Sequence, residues 1–248
     1  MTTTETGIDA RFLAALTFDA AEFARRFLGW TPDPKQALVL SSHARRVIMN
    51  CARQWGKSTV AATKIVHVAL TRPGSTILIV SENLDQTDGV FRKIDRFLKK
   101  LGVKAKREAH VRYLDNGSII QGLAAREEGV RSYTADFVFI DEAARIADEV
   151  IDALEPSILV NKGDWWMAST PRGRRGRFFE LWAYGEGPDL LKVSAPASEN
   201  LRIDPRYLER VRREKGDDWA DQEFECQFVE TGTNLMSLDH IDELVKKR

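Results

Sequence analysis

The stretch "RRVIMNCARQWGKSTVAATKIVHVALTRPG", residues 45–74, decides the architecture. Residues 45–50 are a short apolar run with the look of a buried strand. Lys57 to Leu70 carry a long helical pattern, closed by the stop signal "TRPG". Between strand and helix lies "CARQWGKST", residues 51–59, which ends in Gly56, Lys57 and Ser58 as a G-x-x-x-x-G-K-[ST] phosphate loop does. It does not begin as one: Cys51 stands where the first glycine belongs, and Arg53 and Trp55 crowd the interior. A chain of this length meets G-K-[ST] by chance about one time in ten, so the tripeptide alone is weak. Its setting is what counts. A strand delivering a loop into a helix start points backbone N–H groups at an anion. There Lys57 would reach β/γ-phosphates and the Ser58 hydroxyl would ligate Mg2+.

A second motif supports the first. "FVFIDE", residues 137–142, is an apolar strand that delivers two acids at its end. With a phosphate loop present, Asp141 suits the Mg2+ shell and Glu142 the orientation and activation of an attacking water. The competing reading, a strand followed by helix-capping acids, fits either motif taken alone better than both in this order. The missing first glycine removes a residue suited to a tight turn at positive φ, so Cys51 implies a less strained opening of the loop. Arg53 is either a second cation facing the phosphates or a neighbouring acid, or a surface arginine.

Outward from these motifs the pattern stays α/β. Residues 9–29 read as helical, and a helix restarts near Lys35 after "GWTPDP". Strands are expected at 75–81, 135–143, 164–171 and 189–196, and helices at 85–101 and 148–159. A hairpin spans 111–125 with Asn116-Gly117 at its turn. Alternating strands and helices predict a largely parallel sheet covered on both faces, with ligands at the carboxyl ends of the strands. The fold class expected is therefore α/β: a P-loop NTPase core of the RecA-like, ASCE type, residues 1–197, followed by a small helical lid, 198–236, and a linker, 237–248.

Composition sets bounds. Lys plus Arg and Asp plus Glu number 37 each, so the formal net charge is zero and any nucleic-acid contact has to come from local patches. "RGRRGR", 172–177, is such a patch or a solvated loop. "RYLERVRREK", 206–215, reads as an ordinary solvated helix face, because Glu209 and Glu214 interleave with its arginines. Two cysteines make no disulfide framework, and the four histidines have no metal-ligand spacing. No apolar run is long enough to cross a membrane, and the N-terminus is not built like a signal peptide. Trp165 and Trp166, in a strand, read as core.

Taken together, these motifs resemble the ATPase portion of the large terminase subunit of tailed bacteriophages, over about residues 25–236. "RQWGKS" (53–58) matches that family's Arg-Gln-x-Gly-Lys-[ST] loop, and "WTPDPKQ" its glutamine-bearing adenine motif. "VSENLDQTDGVFRKI", "GVRSYTADFVFIDEA", "ASTPRGRRGRFFELW" and "DQEFECQF" resemble further segments in the family's order. The resemblance implies that Gln36 reads adenine. It implies a phosphate loop of Arg53, Gln54, Gly56, Lys57, Ser58 and Thr59, with Lys57, Arg53 and Glu142 catalytic and Ser58 and Asp141 on Mg2+. Ser169 and Thr170 would couple hydrolysis to DNA movement, and Arg131 would act as a finger in a neighbouring subunit's site, with Arg126 as the alternative. It further implies ATP-driven translocation of double-stranded DNA into a procapsid through sequence-independent backbone contacts. The implied partners are the portal protein and the small terminase subunit, the active form is a homo-oligomeric ring built from subunits that are monomeric in isolation, and the setting is the host bacterial cytoplasm with no membrane involved. Large terminases generally continue into a nuclease domain. This chain stops soon after "TGTNLMSLDH", and no DNA cleavage is expected from it. Rival readings are a superfamily 2-like helicase or remodeller fragment, disfavoured by the single phosphate loop, and a non-hydrolysing nucleotide-dependent assembly module.

Overall fold

The computed structural model describes residues 19–126, 130, 132–200 and 202–230. Eight strands form one sheet: β1 (Arg46–Cys51), β2 (Thr76–Ser81), β3 (Ala105–Glu108), β4 (Val111–Leu114), β5 (Ile119–Ala124), β6 (Phe137–Asp141), β7 (Asp164–Ser169) and β8 (Leu190–Ala195). Their order is β3-β4-β5-β2-β6-β7-β1-β8. The six strands from β5 to β8 run parallel, and β4 and β3 add an antiparallel margin. The expected α/β class with a mainly parallel sheet is what the chain adopts.

Two faces of the sheet explain why the central strands read as unbroken apolar runs. Val47, Met49, Ile77, Ile79, Phe137, Phe139, Trp166 and Ala168 enter one core cluster, while Ile48, Leu78, Val80, Val138, Ile140, Trp165 and Met167 enter another. With a side-chain period of two, a strand covered on both sides has no polar positions to alternate. The first face is covered by α1 (Ala20–Phe23, continued by a π-helical turn Ala24–Leu28), α2 (Pro34–Ser41), α3 (Lys57–Thr71) and α4 (Leu84–Lys100). The second is covered by α5 (Asp148–Leu154) and α6 (Gly176–Tyr184). Trp165 and Trp166 are both core residues, 5% and 0% exposed.

Some elements depart from expectation. The helix expected at 148–159 stops at Leu154 and tightens into a 3-10 turn, Glu155–Ile158, because Pro156 has no N–H for an α-helical bond. Strand β3, with the sequence "AKRE", has no apolar pattern to announce it: its polar residues are tolerated because it is the sheet's outermost strand. The hairpin turns at Asn116-Gly117 as expected, with Gly117 at φ 84. The expected N-terminal helix falls partly outside the described residues. Helices α7 (Pro205–Lys215) and α8 (Asp217–Glu223) close the described chain. Val211 of α7, with Phe224 and Cys226 just after α8, packs against Ala52 and Ala197, so the C-terminal segment sits directly on the phosphate loop. Only Val211 of α7 is buried, which agrees with its reading as a solvated face.

Candidate active site

Strand register brings the chemistry to one edge. Asn50 pairs with Ser169, and Asp141 pairs with Ala168. The residues that follow these strands therefore emerge side by side at the carboxyl edge of the sheet. Between β1 and α3 the loop keeps Cys51 in the strand, fully buried, and takes positive φ at Gln54 (64°) and Gly56 (109°). The left-handed turns lie later in the loop than its first position, which is why a Cβ is tolerated at Cys51. Gly56 cannot be replaced so easily: a Cβ there would lie 3.0 Å from Gln36 Nε2. Trp55 is 4% exposed and anchors the loop in the core. Gly56 caps α3 without a side-chain bond, so the first N–H groups of that helix point into the cleft as an anion site.

The cleft, about 720 Å3, is lined by the loop from Ala52 to Thr59 and by Glu142 and Thr170, joined by Glu82, Gln86, Lys93, Arg145 and Arg202. Lys57 Nζ lies 3.3 Å from the Cys51 carbonyl oxygen and 3.6 Å from Glu142 Oε1. Ser169 Oγ donates to Glu142 Oε2 at 3.4 Å. Glu142 itself sits in the left-handed region, φ 52, an uncommon conformation for a residue with a side chain, and its N–H donates to Asp141 Oδ1 at 3.1 Å. Burial pushes the Asp141 carboxyl up to about 6; the Glu142 charge adds to the rise, and Lys57 opposes it. A carboxylate so short of compensating charge suits a cation. Among the described residues no three His, Cys, Asp or Glu side chains gather into a metal cage. Asp141 and Ser58 instead offer the one or two hard oxygen donors with which Mg2+ is commonly held alongside phosphates and waters, so the donor set fits that ion.

Arg53 faces an acid. Its Nε donates to Glu223 Oε2, its backbone N–H donates to the Glu223 carbonyl at 3.2 Å, and Arg145 Nη2 lies 3.9 Å from Glu223 Oε1. Glu223 is buried on α8. The neighbouring-acid alternative for Arg53 thus describes this state of the molecule. Gln36 closes a capping box with Asp33: its Oε1 accepts from the Asp33 N–H at 2.9 Å, and its Nε2 donates to the Trp55 carbonyl at 2.8 Å. It borders a second cleft of about 510 Å3, with Trp55 and Arg202 shared between the two clefts. Arg126 is exposed just past β5, and Arg131 lies outside the described residues. Of the basic patch, Arg174 donates to the Phe228 carbonyl and Arg177 pairs with Asp152, while Arg172 and Arg175 line a separate hollow.

Lys93, Arg145, Arg202 and Glu223 are site residues that sequence reasoning does not single out. Arg145 stands three residues after Glu142 and could be found as an i,i+3 partner. The others reach the site through packing of distant segments and leave no local signal.

Comparison with known proteins identifies the family and the fold. Residues 48–242 match the family described as terminase large subunit, T4likevirus-type, N-terminal. The "Terminase, large subunit" of Thermus phage G20c is 30% identical over 181 residues, 64% of this chain; the chain spans about a third (37%) of that relative's length. The large terminase ATPase domain of Thermus phage P74-26 superposes with a TM-score of 0.73 at 24% identity, over 89% of this chain and 98% of that one. A large terminase from a thermophilic bacteriophage, solved in complex with ADP, gives a TM-score of 0.64 at 16% identity, over 88% of this chain and 52% of that one.

Proposed function

The chain belongs to the T4-like terminase large-subunit N-terminal family, and on that premise we propose that it is an ATP-hydrolysing motor domain that drives double-stranded DNA into a viral procapsid. The observation that carries the reading is the placement of Lys57, Glu142, Asp141 and Ser169 at one sheet edge, with Lys57 Nζ 3.6 Å from Glu142 Oε1. The ADP complex of the thermophilic phage's large terminase supports nucleotide as the ligand of this edge.

Each residue then takes a role. The α3 N-terminus and the loop formed by Arg53, Gln54, Gly56, Lys57, Ser58 and Thr59 hold the phosphates. Lys57 places its charge at the β/γ-phosphates, and Gln36 borders the adenine cleft. Asp141 and Ser58 would hold Mg2+, which supplies charge neutralisation at the phosphates when bound. Glu142, freed from Lys57 by the incoming phosphates, orients water and takes its proton. Ser169, bonded to Glu142, and buried Thr170 pass the state of the site to the sheet and to the loop beyond it. The C-terminal helices act as a lid on the phosphate loop. Arg131, with Arg126 as alternative, serves a neighbouring subunit within a ring; its partners are the portal protein and the small terminase subunit in the host cytoplasm, a reading that family membership supports. Among the described residues no helix is long and apolar enough to cross a membrane.

The test is phosphate release by wild type and by Glu142→Gln. A fall of about 10²–10⁴-fold with nucleotide binding retained is expected. Equal rates would overturn the role of Glu142, and binding without hydrolysis by the wild type would favour a nucleotide-dependent assembly module. Mixing Arg131→Ala with Glu142→Gln subunits restores activity in mixed rings if Arg131 acts in trans.

A further inference from the structure

Five cations line the phosphate cleft: Arg53, Lys57, Lys93, Arg145 and Arg202. Four are held by the protein itself. Arg53 is bonded to Glu223, and Lys57 contacts Cys51 and Glu142. Arg145 lies near Glu142 and Glu223, and Arg202 donates to Asn200 Oδ1 at 3.1 Å and to the Trp55 carbonyl at 3.4 Å. Lys93 differs. It rises from the middle of α4 and lines the cleft together with the phosphate loop, and among the described residues its ammonium has no hydrogen-bond or ion-pair partner.

Such an ammonium is poorly placed in the free protein. It is half-buried, and Arg92 and Arg96 add like charge on its own helix. Burial, then Arg96 and Arg92, push it below the ordinary lysine range, and Asp141 is the acid that opposes the shift. The other groups facing the cleft from this side, Glu82 and Gln86, are exposed at the start of α4 and leave Lys93 unpaired. A desolvated, uncommitted cation beside a phosphate site gains most when an anion arrives, because the anion supplies the charge that the protein withholds. Lys57 approaches the phosphates from the loop side. Lys93 lines the same cleft as Glu142 and feels the charge of Asp141 at the end of β6, which groups it with the acids that serve the terminal phosphate.

We propose that Lys93 is a γ-phosphate contact, a second cation that distinguishes the triphosphate from the diphosphate state and ties α4 to that difference. The assignment rests on the ATPase reading of the same site. In that reading the β- and α-phosphates are held by the loop with or without Lys93, so its removal costs affinity only when the γ-phosphate is present.

The experiment is calorimetric titration of the full chain with Mg2+-ATPγS and with Mg2+-ADP, for wild type, Lys93→Met and Lys93→Arg. Thermal melting of each variant checks that it is folded. The expected result is a loss of about 10-fold in ATPγS affinity for Lys93→Met, ADP affinity unchanged, and partial recovery in Lys93→Arg, which restores the charge. An unchanged ratio of ATPγS to ADP affinity in Lys93→Met, whether both fall together or neither falls, overturns the assignment and leaves Lys93 as a counter-charge to Asp141. If Lys93→Met does not fold, the ratio in Lys93→Gln decides by the same criterion. A wild type that binds neither nucleotide overturns the ATPase reading itself, an outcome distinct from failure at Lys93.

Discussion

At Glu142 the chain leaves a buried strand and turns at once into left-handed backbone. The acid is thereby directed back over Lys57 instead of onward along the strand. The pair of acids was legible in "FVFIDE", because an apolar strand ending in two carboxylates has few other uses beside a phosphate loop. The backbone turn was not legible, since nothing local distinguishes it from a helix cap. Asp141 carries a testable consequence. Its folded-state pKa, about 6, lies above the ordinary 3.8, so its ionisation opposes folding. That penalty is absent below pH ~4, grows as pH rises toward 6, and is complete above it. Asp141→Asn is therefore expected to melt higher than wild type at pH 7.5 without nucleotide or Mg2+, by about 1–3 kcal/mol. The gain shrinks as pH falls through 6, and Mg2+-dependent hydrolysis is lost. Melting curves at pH 7.5 and 5 check the sign. Gly56→Ala tests the loop from the other side. At φ 109, with Gln36 Nε2 3.0 Å from the new Cβ, it should cost about 1–3 kcal/mol and weaken ATPγS binding more than tenfold; melting and titration measure both.

Among elements, α8 shows how much a sequence can conceal. "DQEFECQF" was legible as a closing segment, but not that Glu223 within it would be buried against the phosphate loop. That contact joins residues 170 positions apart, a separation no periodicity can report. The bond from Arg53 and the proximity of Arg145 make Glu223 the pin between loop and C-terminal helices. Glu223→Gln keeps the shape and removes the charge. It should cost about 1–2 kcal/mol and raise amide exchange in α7 and α8 while leaving β1 and β6 protected. Uniform exchange changes throughout the chain would mean the pin is not local. Elements whose pattern was unambiguous, such as α3, β2 and β6, were all legible, because burial on two faces or one imposes a period the sequence has to obey. β3 escaped because an edge strand is under no such demand.

At the scale of the whole molecule, equal numbers of acidic and basic residues leave no long-range field to gather DNA. If the chain is a motor, its grip on duplex comes from local backbone contacts. Isolated chain should then bind duplex only weakly, at the ~10⁻⁴ M end of nonspecific affinities, equally for unrelated sequences, and more weakly still as salt rises from 50 to 200 mM. Anisotropy with two unrelated duplexes measures this; a strong preference for either one would contradict a motor's indifference to sequence. The sequence by itself determined the parallel sheet, the order of its main elements, and the loop and acids of the site, because apolar periodicity and the demands of phosphate binding act over a few residues. Only the tertiary structure decided that Arg53 faces Glu223, that Gln36 is already held by Asp33 and Trp55, and that Lys93 stands unpaired among the cleft's described cations. Those facts depend on which distant side chains share a small, partly dehydrated space, and there the charge balance is set by packing across the fold.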